Sequence, residues 1–452
     1  MRRVRGLVSR DMRIVIVGAG AVGSYLAERL ADEGQDIVVV ESDAGLADEL
    51  RERVKCRVIH GNGASVHTLE EAGVSTASLL IAVTTSDAVN ILACQAAATL
   101  GAPRRVARVE DPALREDLPL HGVDVVIDPV ETLSRDLLLL VRKGGVSEVV
   151  EFADGQISLF GGRVHADAPL DGITLRALRQ RVRGWDWIVA ALVRDGQTII
   201  GRGDSMVQSG DHVLLVASGS SVDEALRLMG VEEHRTKRVF ILGATRLAVL
   251  SAQLFASNGI STVLIDREAE RVMPIGRHHR IEVVQGDPTD PKLMQAHGVD
   301  KADVILGLSG WDEVNILGCL AGKALGVPTA VARFSRFEYV SLLAGHGIDA
   351  GVSTRLAAAN EILRLVRRGR IQSVATFQDT DAEAIELQVS PGSQAIGKTL
   401  TDMGLPKSAI VGGVVRRKKA FIPHGDTQIE EGDVVIAIAL PNAIAAVEKI
   451  FS

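Results

Sequence analysis

A glycine-rich turn, Gly18-Ala19-Gly20-Ala21-Val22-Gly23, follows the β-branched run Ile14-Val15-Ile16-Val17 and precedes a helical pattern carrying Leu26 and Leu30. Strand, turn and helix in that order suit a pyrophosphate. Gly18 permits the tight turn, Gly20 lets backbone amides come close, Gly23 lets helix and strand pack, and the helix N-terminus adds partial positive charge. Glu41 ends the next apolar run, Ile37-Val38-Val39-Val40, where a carboxylate accepts hydrogen bonds from ribose hydroxyls and repels a 2′-phosphate. NAD(H) or an adenine nucleotide is therefore favoured over NADP(H). Thr84-Thr85-Ser86-Asp87-Ala88-Val89-Asn90 follows a further apolar strand, and Arg108 ends another. Carboxyl ends of parallel strands are where ligands sit, and a guanidinium there suits a phosphate. The structural alternatives are a helix cap at Ser86 or Asp87 and an ion pair at Arg108.

The same landmarks return 225 residues later: Gly243 for Gly18, Asp266 for Glu41, Asp312 for Asp87, Asn315 for Asn90 and Arg333 for Arg108. A register held over that length marks a duplication. The second turn reads Gly243-Ala244-Thr245-Arg246-Leu247-Ala248, and the branched Thr245 obstructs close backbone approach where the first turn has Gly20. Asp266 keeps the ribose acid, and Arg246 is placed to meet phosphate directly. A smaller nucleotide, ATP or ADP, or a purely structural second site are the two readings.

The elements that position these residues alternate strand with helix, which argues a parallel sheet covered on both faces. After an apolar helix through Leu137-Leu138-Leu139-Leu140 the texture changes near Glu148 to short strands and turns, the pattern of a small α+β domain. The series then restarts at Val239-Phe240-Ile241-Leu242. The expected fold is α/β: two tandem Rossmann-like parallel-sheet domains, each followed by a small α+β domain. Expected bounds are 12–130, a crossover helix at 131–147 and a small domain at 148–232. The second set is 237–355, 356–370 and 371–452. Gly203-Asp204 and Gly210-Asp211 match Gly425-Asp426 and Gly432-Asp433 at an offset of 222, so three residues were lost from the second copy.

With 452 residues, a net charge of −7 and 3% aromatics, the chain is too long for one core and poorly suited to nucleic acid, which is rejected as a partner. Cys56, Cys94 and Cys319 form no disulfide framework or C-x-x-C pair, and Cys94 and Cys319, again 225 apart, read as packed core positions. Eleven histidines show no metal spacing; His121 and His346 read as turn or packing residues. His278-His279 and the run Arg416-Arg417-Lys418-Lys419 read as a solvated loop and a hairpin tip. The longest apolar stretch, Val434 to Leu440, is too short to cross a bilayer. The first eleven residues read as a loose extension without the apolar core of a signal peptide, and a cytoplasmic location is expected.

The strand-end Glu41, Gly61-Asn62-Gly63, Thr85-Ser86-Asp87-Ala88-Val89-Asn90, Ala107-Arg108-Val109 and the Gly-Asp pairs of the small domains together resemble one family. It is the RCK, or KTN, family of potassium-transport regulators, and the duplicated arrangement is similar to its TrkA type, the cytosolic subunits of bacterial Trk potassium uptake systems. The resemblance runs from Met12 to the end of the chain. It implies a homotetrameric ring at the inner face of the plasma membrane, docked on a channel-like potassium subunit of TrkH or TrkG type, with bound NAD(H), ATP or ADP setting the shape of the ring. Carried over by motif position, Gly18, Gly20, Ala21, Val22, Gly23, Glu41, Asn62, Thr84, Asp87 and Arg108 line the first pocket. Asp266, Asp287 and Arg333 line the second. Asn62 departs from the family's Gly-Asp pair, which Gly286-Asp287 keeps.

Two other functions compete with this one. An NAD-dependent oxidoreductase needs a substrate pocket with a positioned acid or base, and the small domains offer no recognisable one. The same domains also suit a regulator of another cation or proton exchanger. A nucleotide-responsive regulator without enzymatic activity is the expected function.

Overall fold

In the computed structural model, residues 13–115, 121–143, 146–153, 155–181, 186–219, 221–231, 236–268, 280–335, 347–366, 371–377 and 380–452 are described. The N-terminal extension, His278-His279 and His346 lie outside them. The chain divides into two compact units, Met1–Val130 with Thr354–Gly369, and Glu131–Ser353 with Arg370–Ser452.

The first unit holds a six-stranded parallel sheet: β1 (Arg13–Val17), β2 (Asp36–Glu41), β3 (Arg57–His60), β4 (Leu79–Ala82), β5 (Arg105–Arg108) and β6 (Val125–Ile127). Its strand order is β3-β2-β1-β4-β5-β6, so direction of winding reverses between β1 and β4. A crevice opens at that reversal, above the carboxyl ends of the strands. The β-branched runs are buried on both faces because side chains alternate across the sheet. Ile14, Ile16, Ile37 and Val39 enter one core, and Val15, Val17, Val38 and Val40 the other.

The first of those cores is closed from far along the chain. Ala358, Ala359, Ile362 and Leu363 of the helix Thr354–Val366 pack beside Leu26, Ala27 and Leu30 of the helix Ala21–Asp32. Arg104 Nη1 adds a hydrogen bond to the Leu365 carbonyl at 3.2 Å. Local periodicity identifies this segment as a helix but is silent on the sheet it covers.

The second unit contains two antiparallel sheets and a second parallel one. The first small sheet comprises β7 (Glu148–Phe152), β8 (Ile157–Arg163), β9 (Trp187–Arg194), β10 (Gln197–Ile200) and β11 (His212–Ser218), ordered β10-β9-β11-β8-β7. The parallel sheet has β12 (Arg238–Leu242), β13 (Ser261–Asp266), β14 (Ile281–Gln285), β15 (Val304–Gly307), β16 (Thr329–Arg333) and β17 (Ala350–Val352). Its order, β14-β13-β12-β15-β16-β17, repeats that of the first unit. The last sheet, β18 (Ile371–Thr376), β19 (Glu383–Gln388), β20 (Ala409–Arg416), β21 (Lys419–Phe421) and β22 (Val434–Ala439), is ordered β18-β19-β22-β20-β21.

The two small sheets share an apolar core: Phe152, Ile157, Leu159 and Leu214 of one meet Phe377, Ala384, Ile436 and Ile438 of the other. Arg202 extends this contact with hydrogen bonds to the carbonyls of Pro406, Lys407 and Ala409. Within each sheet one Gly-Asp pair has a structural use. Asp211 and Asp433 receive bidentate hydrogen bonds from Arg194 and Arg416, respectively. Arg416 is thus half-buried in an ion pair with the buried Asp433, while the hairpin tip beyond it consists of Arg417 and Lys418 at φ of 51° and 68°. Among the described residues no helix is long and apolar enough to cross a membrane.

Candidate functional site

In the first crevice the turn after β1 carries Gly18 at φ +104°, a conformation that favours glycine. A Cβ on Gly23 would stand 1.8 Å from the Gly18 carbonyl oxygen, so the helix lies directly on the turn. A Cβ on Gly20 would meet nothing within 4 Å, and Gly20 supplies no side-chain cap to the helix Ala21–Asp32. The amides of its first turn, at Val22 and Gly23, therefore face a space that a phosphate can enter.

Glu41 is only 8% exposed and is held by backbone amides. Its Oε2 accepts from Ala19 N at 2.5 Å, and its Oε1 from Ser42 N at 2.7 Å and Asp43 N at 2.9 Å. The carboxylate thereby ties the glycine turn to the end of β2. Oε1 also accepts from Ser42 Oγ at 3.2 Å and is fully engaged, whereas Oε2, with one donor, retains lone-pair capacity for a ribose hydroxyl, so bracing and binding are compatible there. Asn62 folds its own loop, accepting from Ala64 N at 2.9 Å.

At the carboxyl end of β4, Ser86 Oγ caps the helix Asp87–Thr99 through Val89 N. Asp87 reaches across to accept from Glu110 N at 3.0 Å and Asp111 N at 2.8 Å, fixing the loop after β5. Arg108 pairs with Glu110, its Nε 2.8 Å from Oε1, so its charge is engaged within the chain. Thr84 donates its amide and hydroxyl to Asn90 Oδ1. Asn90, fully buried, completes the junction by donating Nδ2 to the carbonyls of Thr84 and Arg108.

The second crevice keeps this scaffold. Asp266 Oδ2 accepts from Ala244 N at 2.6 Å and Oδ1 from Glu268 N at 2.9 Å. Asn315 bonds Ser309 and the Arg333 carbonyl as Asn90 bonds Thr84 and Arg108. Asp312 accepts from Ser335 N as Asp87 accepts from the matching loop. Asp287 organises its loop through Thr289 N and Oγ1 and pairs with Arg267 at 2.7 Å. Chiefly the Thr289 amide, helped by the Thr289 hydroxyl and Arg267 against a penalty from burial, holds the Asp287 carboxyl below its ordinary range.

Thr245 makes the difference. Its Oγ1 donates to the Leu308 carbonyl at 2.7 Å and accepts from Ala248 N at 3.4 Å, capping the helix Arg246–Ser257. The helix start that has no side-chain cap in the first crevice is capped internally in the second. The first set of residues fits a dinucleotide, and the second does not fit a pyrophosphate in the same place.

The sequence marked Asn90 and Asn315 as repeat landmarks without assigning them to the site, although they join its two strand ends. Their recurrence at the repeat spacing was the available signal. Cys94 and Cys319 are fully buried, donate to the carbonyls of Val106 and Val331, and are pushed up to about 12 by burial. They are packing residues.

Fold and crevices together define a duplicated protein in which each Rossmann-like domain is followed by an antiparallel small domain. The TrkA-N domain profile matches residues 14–129 and 239–354, and the TrkA-C domain profile matches 163–230 and 384–452. A Trk system potassium uptake protein TrkA from Halomonas elongata is 33% identical over 97% of this chain and 98% of its own length. A TrkA homolog from Archaeoglobus fulgidus is 33% identical over 97% of this chain and 100% of its own. The chain belongs to the TrkA family, a class of regulatory potassium-transport subunits rather than enzymes. In fold it is similar to a GsuK channel bound to NAD, at a TM-score of 0.59 and 23% identity over 98% of this chain and 79% of that one. The GsuK RCK domain matches at 0.59 and 22%, covering 98% and 95%.

Proposed function

We propose that this chain is a nucleotide-responsive regulatory subunit that gates a membrane potassium transporter of TrkH or TrkG type. It assembles as a homotetrameric ring, on the cytoplasmic face of the membrane through that partner. NAD(H) occupies the first crevice, against Gly18, Gly20, Ala21, Val22, Gly23, Glu41, Asn62, Thr84, Asp87 and Arg108. The second crevice, with Asp266, Asp287 and Arg333, takes ATP or ADP. The carrying observation is the uncapped helix start at Gly20 beside the amide-braced Glu41, which together suit a phosphate and a ribose. Gating follows if nucleotide binds two ring shapes with different affinity; equal affinity would shift nothing.

Titration of the purified chain with NADH, NAD, ATP and ADP, repeated on Glu41→Ala and Asp266→Ala, tests the site assignments. Selective loss of one ligand per variant is expected, and unchanged binding in both refutes them. NADH consumption with a small-molecule substrate would restore the oxidoreductase. Copurification with a potassium transporter, rather than another cation exchanger, tests the partner.

A further inference from the structure

Equivalent hairpins close the two small sheets, and only one of them has the residues that its turn favours. β9 and β10 are joined by Asp195-Gly196, with Arg194 paired to Gln197, and β20 and β21 by Arg417-Lys418, with Arg416 paired to Lys419. Both turns hold both residues in the left-handed region, at φ of 51° and 73° in the first and 51° and 68° in the second. Asp-Gly suits such a turn, because glycine has no Cβ to crowd the backbone and aspartate tolerates the region. Arg-Lys meets the same requirement with two long side chains, at a cost in local stability that the first hairpin avoids. Strain kept in one copy and relieved in the other points away from folding and towards use.

The strained turn carries charge outward. Arg416, at its base, is compensated by Asp433 at 2.8 Å and Glu430 at 2.7 Å. Beyond it the Arg417 side chain is 88% exposed and reaches Glu430 only at 3.9 Å. Lys418 and Lys419 are exposed, and their side chains enter no ion pair among the described residues. In a chain of net charge −7 this basic tip stands apart. Charges are screened beyond about 8 Å at physiological ionic strength, so a surface touching the tip senses these cations rather than the acidic average of the chain. Every residue from Arg416 to Lys419 is basic, which leaves no aromatic or aliphatic anchor to fill a protein pocket. Lysines are mobile point charges and suit a surface whose own anions can move to meet them.

We propose that the Arg417-Lys418-Lys419 tip is a membrane contact that binds the phosphate headgroups of anionic phospholipids. This rests on the reading of the chain as a subunit held at a membrane by a transporter, and it adds a second point of attachment through lipid. Each basic side chain at an anionic surface strengthens binding about fivefold, so three give roughly a hundredfold at low salt before the offset from Glu430.

Co-sedimentation of the full-length chain with vesicles tests it, comparing phosphatidylcholine alone with equal parts phosphatidylcholine and phosphatidylglycerol. Binding is expected only to the anionic vesicles and should weaken as salt is raised. Arg417→Asp combined with Lys418→Gly, which copies the first hairpin, should weaken that binding about twentyfold or more while raising the denaturation midpoint, because charge and strain leave together. Lys419→Gln lies outside the turn and should weaken binding about fivefold with the midpoint unchanged. No binding to anionic vesicles, equal binding to both compositions, or undiminished binding by the double variant would each overturn the proposal. So would transporter-loaded phosphatidylcholine vesicles that retain the natural chain but not the double variant, since the partner of the tip would then be a protein. Copurification with the transporter is read separately. If it persists where lipid binding fails, the regulatory reading stands and only the tip assignment falls; if the natural chain binds neither, both fall together.

Discussion

Gly20 and Thr245 occupy the same turn of two sheets with the same strand order, and they treat the following helix in opposite ways. Gly20 leaves the helix start uncapped and the space above it open. Thr245 fills that space with a hydroxyl that caps the helix and bonds across to β15's exit at Leu308. Around this one position the scaffold is preserved: Glu41 and Asp266 brace the turn, Asp87 and Asp312 hold the next loop, and Asn90 and Asn315 join two strand ends. The lesson is that duplication kept the groups satisfying the chain's own amides. It let diverge the groups that face outward.

Five substitutions would break or sharpen that comparison. The largest effect is expected at Gly23, where a Cβ collides with the Gly18 carbonyl. Gly23→Val should cost about 4 kcal/mol in chemical denaturation of the first transition and abolish NADH binding with it. The second turn carries Ala248 at this place, so unimpaired stability in the variant would mean the two turns are interchangeable after all.

Next is a difference between the small domains, where β11 begins with buried His212 and β22 begins with Val434. Burial, and then the charge of Arg163, push His212 down to about 4 from its ordinary 6.5. Its Nε2 meets Ser147 Oγ at 2.8 Å, while Glu148 lies 3.6 Å away. A base with a lowered folded pKa stabilises the fold above pH 6.5 and loses that contribution as pH falls towards 4, a span of about 3 kcal/mol. Denaturation midpoints compared at pH 7 and pH 4.5 should fall less in His212→Val than in the natural chain. An equal fall in both would remove His212 as the source.

The exchange of turn residues is the most direct test of the comparison. Gly20→Thr meets no steric obstacle and should leave stability unchanged or raised by about 1 kcal/mol through a new cap. NADH affinity should nonetheless drop at least about tenfold as the helix start is taken. The reverse change, Thr245→Gly, should cost about 1 kcal/mol and let an additional NADH equivalent appear in titration. Undiminished NADH affinity in Gly20→Thr would show that the open turn is not the cradle.

The smallest effect belongs to the third loop, neutral at Asn62 and acidic at Asp287. Asp287 has a lowered pKa, so its contribution is present above its ordinary value of 3.8 and is lost as pH drops through the lower folded value. Being well exposed, it should matter little. Asp287→Asn, which copies the first half, should slightly flatten the stability profile below pH 4, read by urea midpoints; a steeper profile would contradict the assigned cause.

Much of this arrangement was legible beforehand, because the signals were local and repeated. Runs such as Ile14-Val15-Ile16-Val17 and Val239-Phe240-Ile241-Leu242 are apolar at every position since both faces of a parallel sheet are covered, and they appear as β1 and β12. Thr245 could be read as an obstruction from its branching alone. The bond to Leu308 could not, because it joins residues brought together only by the β12 to β15 pairing. Arg108 was open between a phosphate and an ion pair until its distance to Glu110 was known. The landmark carboxylates looked like ribose acceptors, and their amide partners became visible only once the turn and strand end were adjacent.

The amino-acid order by itself determined the duplication, the alternation of strand and helix, and the place of the glycine turns, since each depends on spacing along the chain. Tertiary structure alone decided that residues 354–366 complete a core begun at residue 14, that the two small sheets bury one another, and that Glu41 serves the turn. Those outcomes arise from pairing between distant segments. Hydrophobic burial supplies their stability without direction, so no local pattern records the partner.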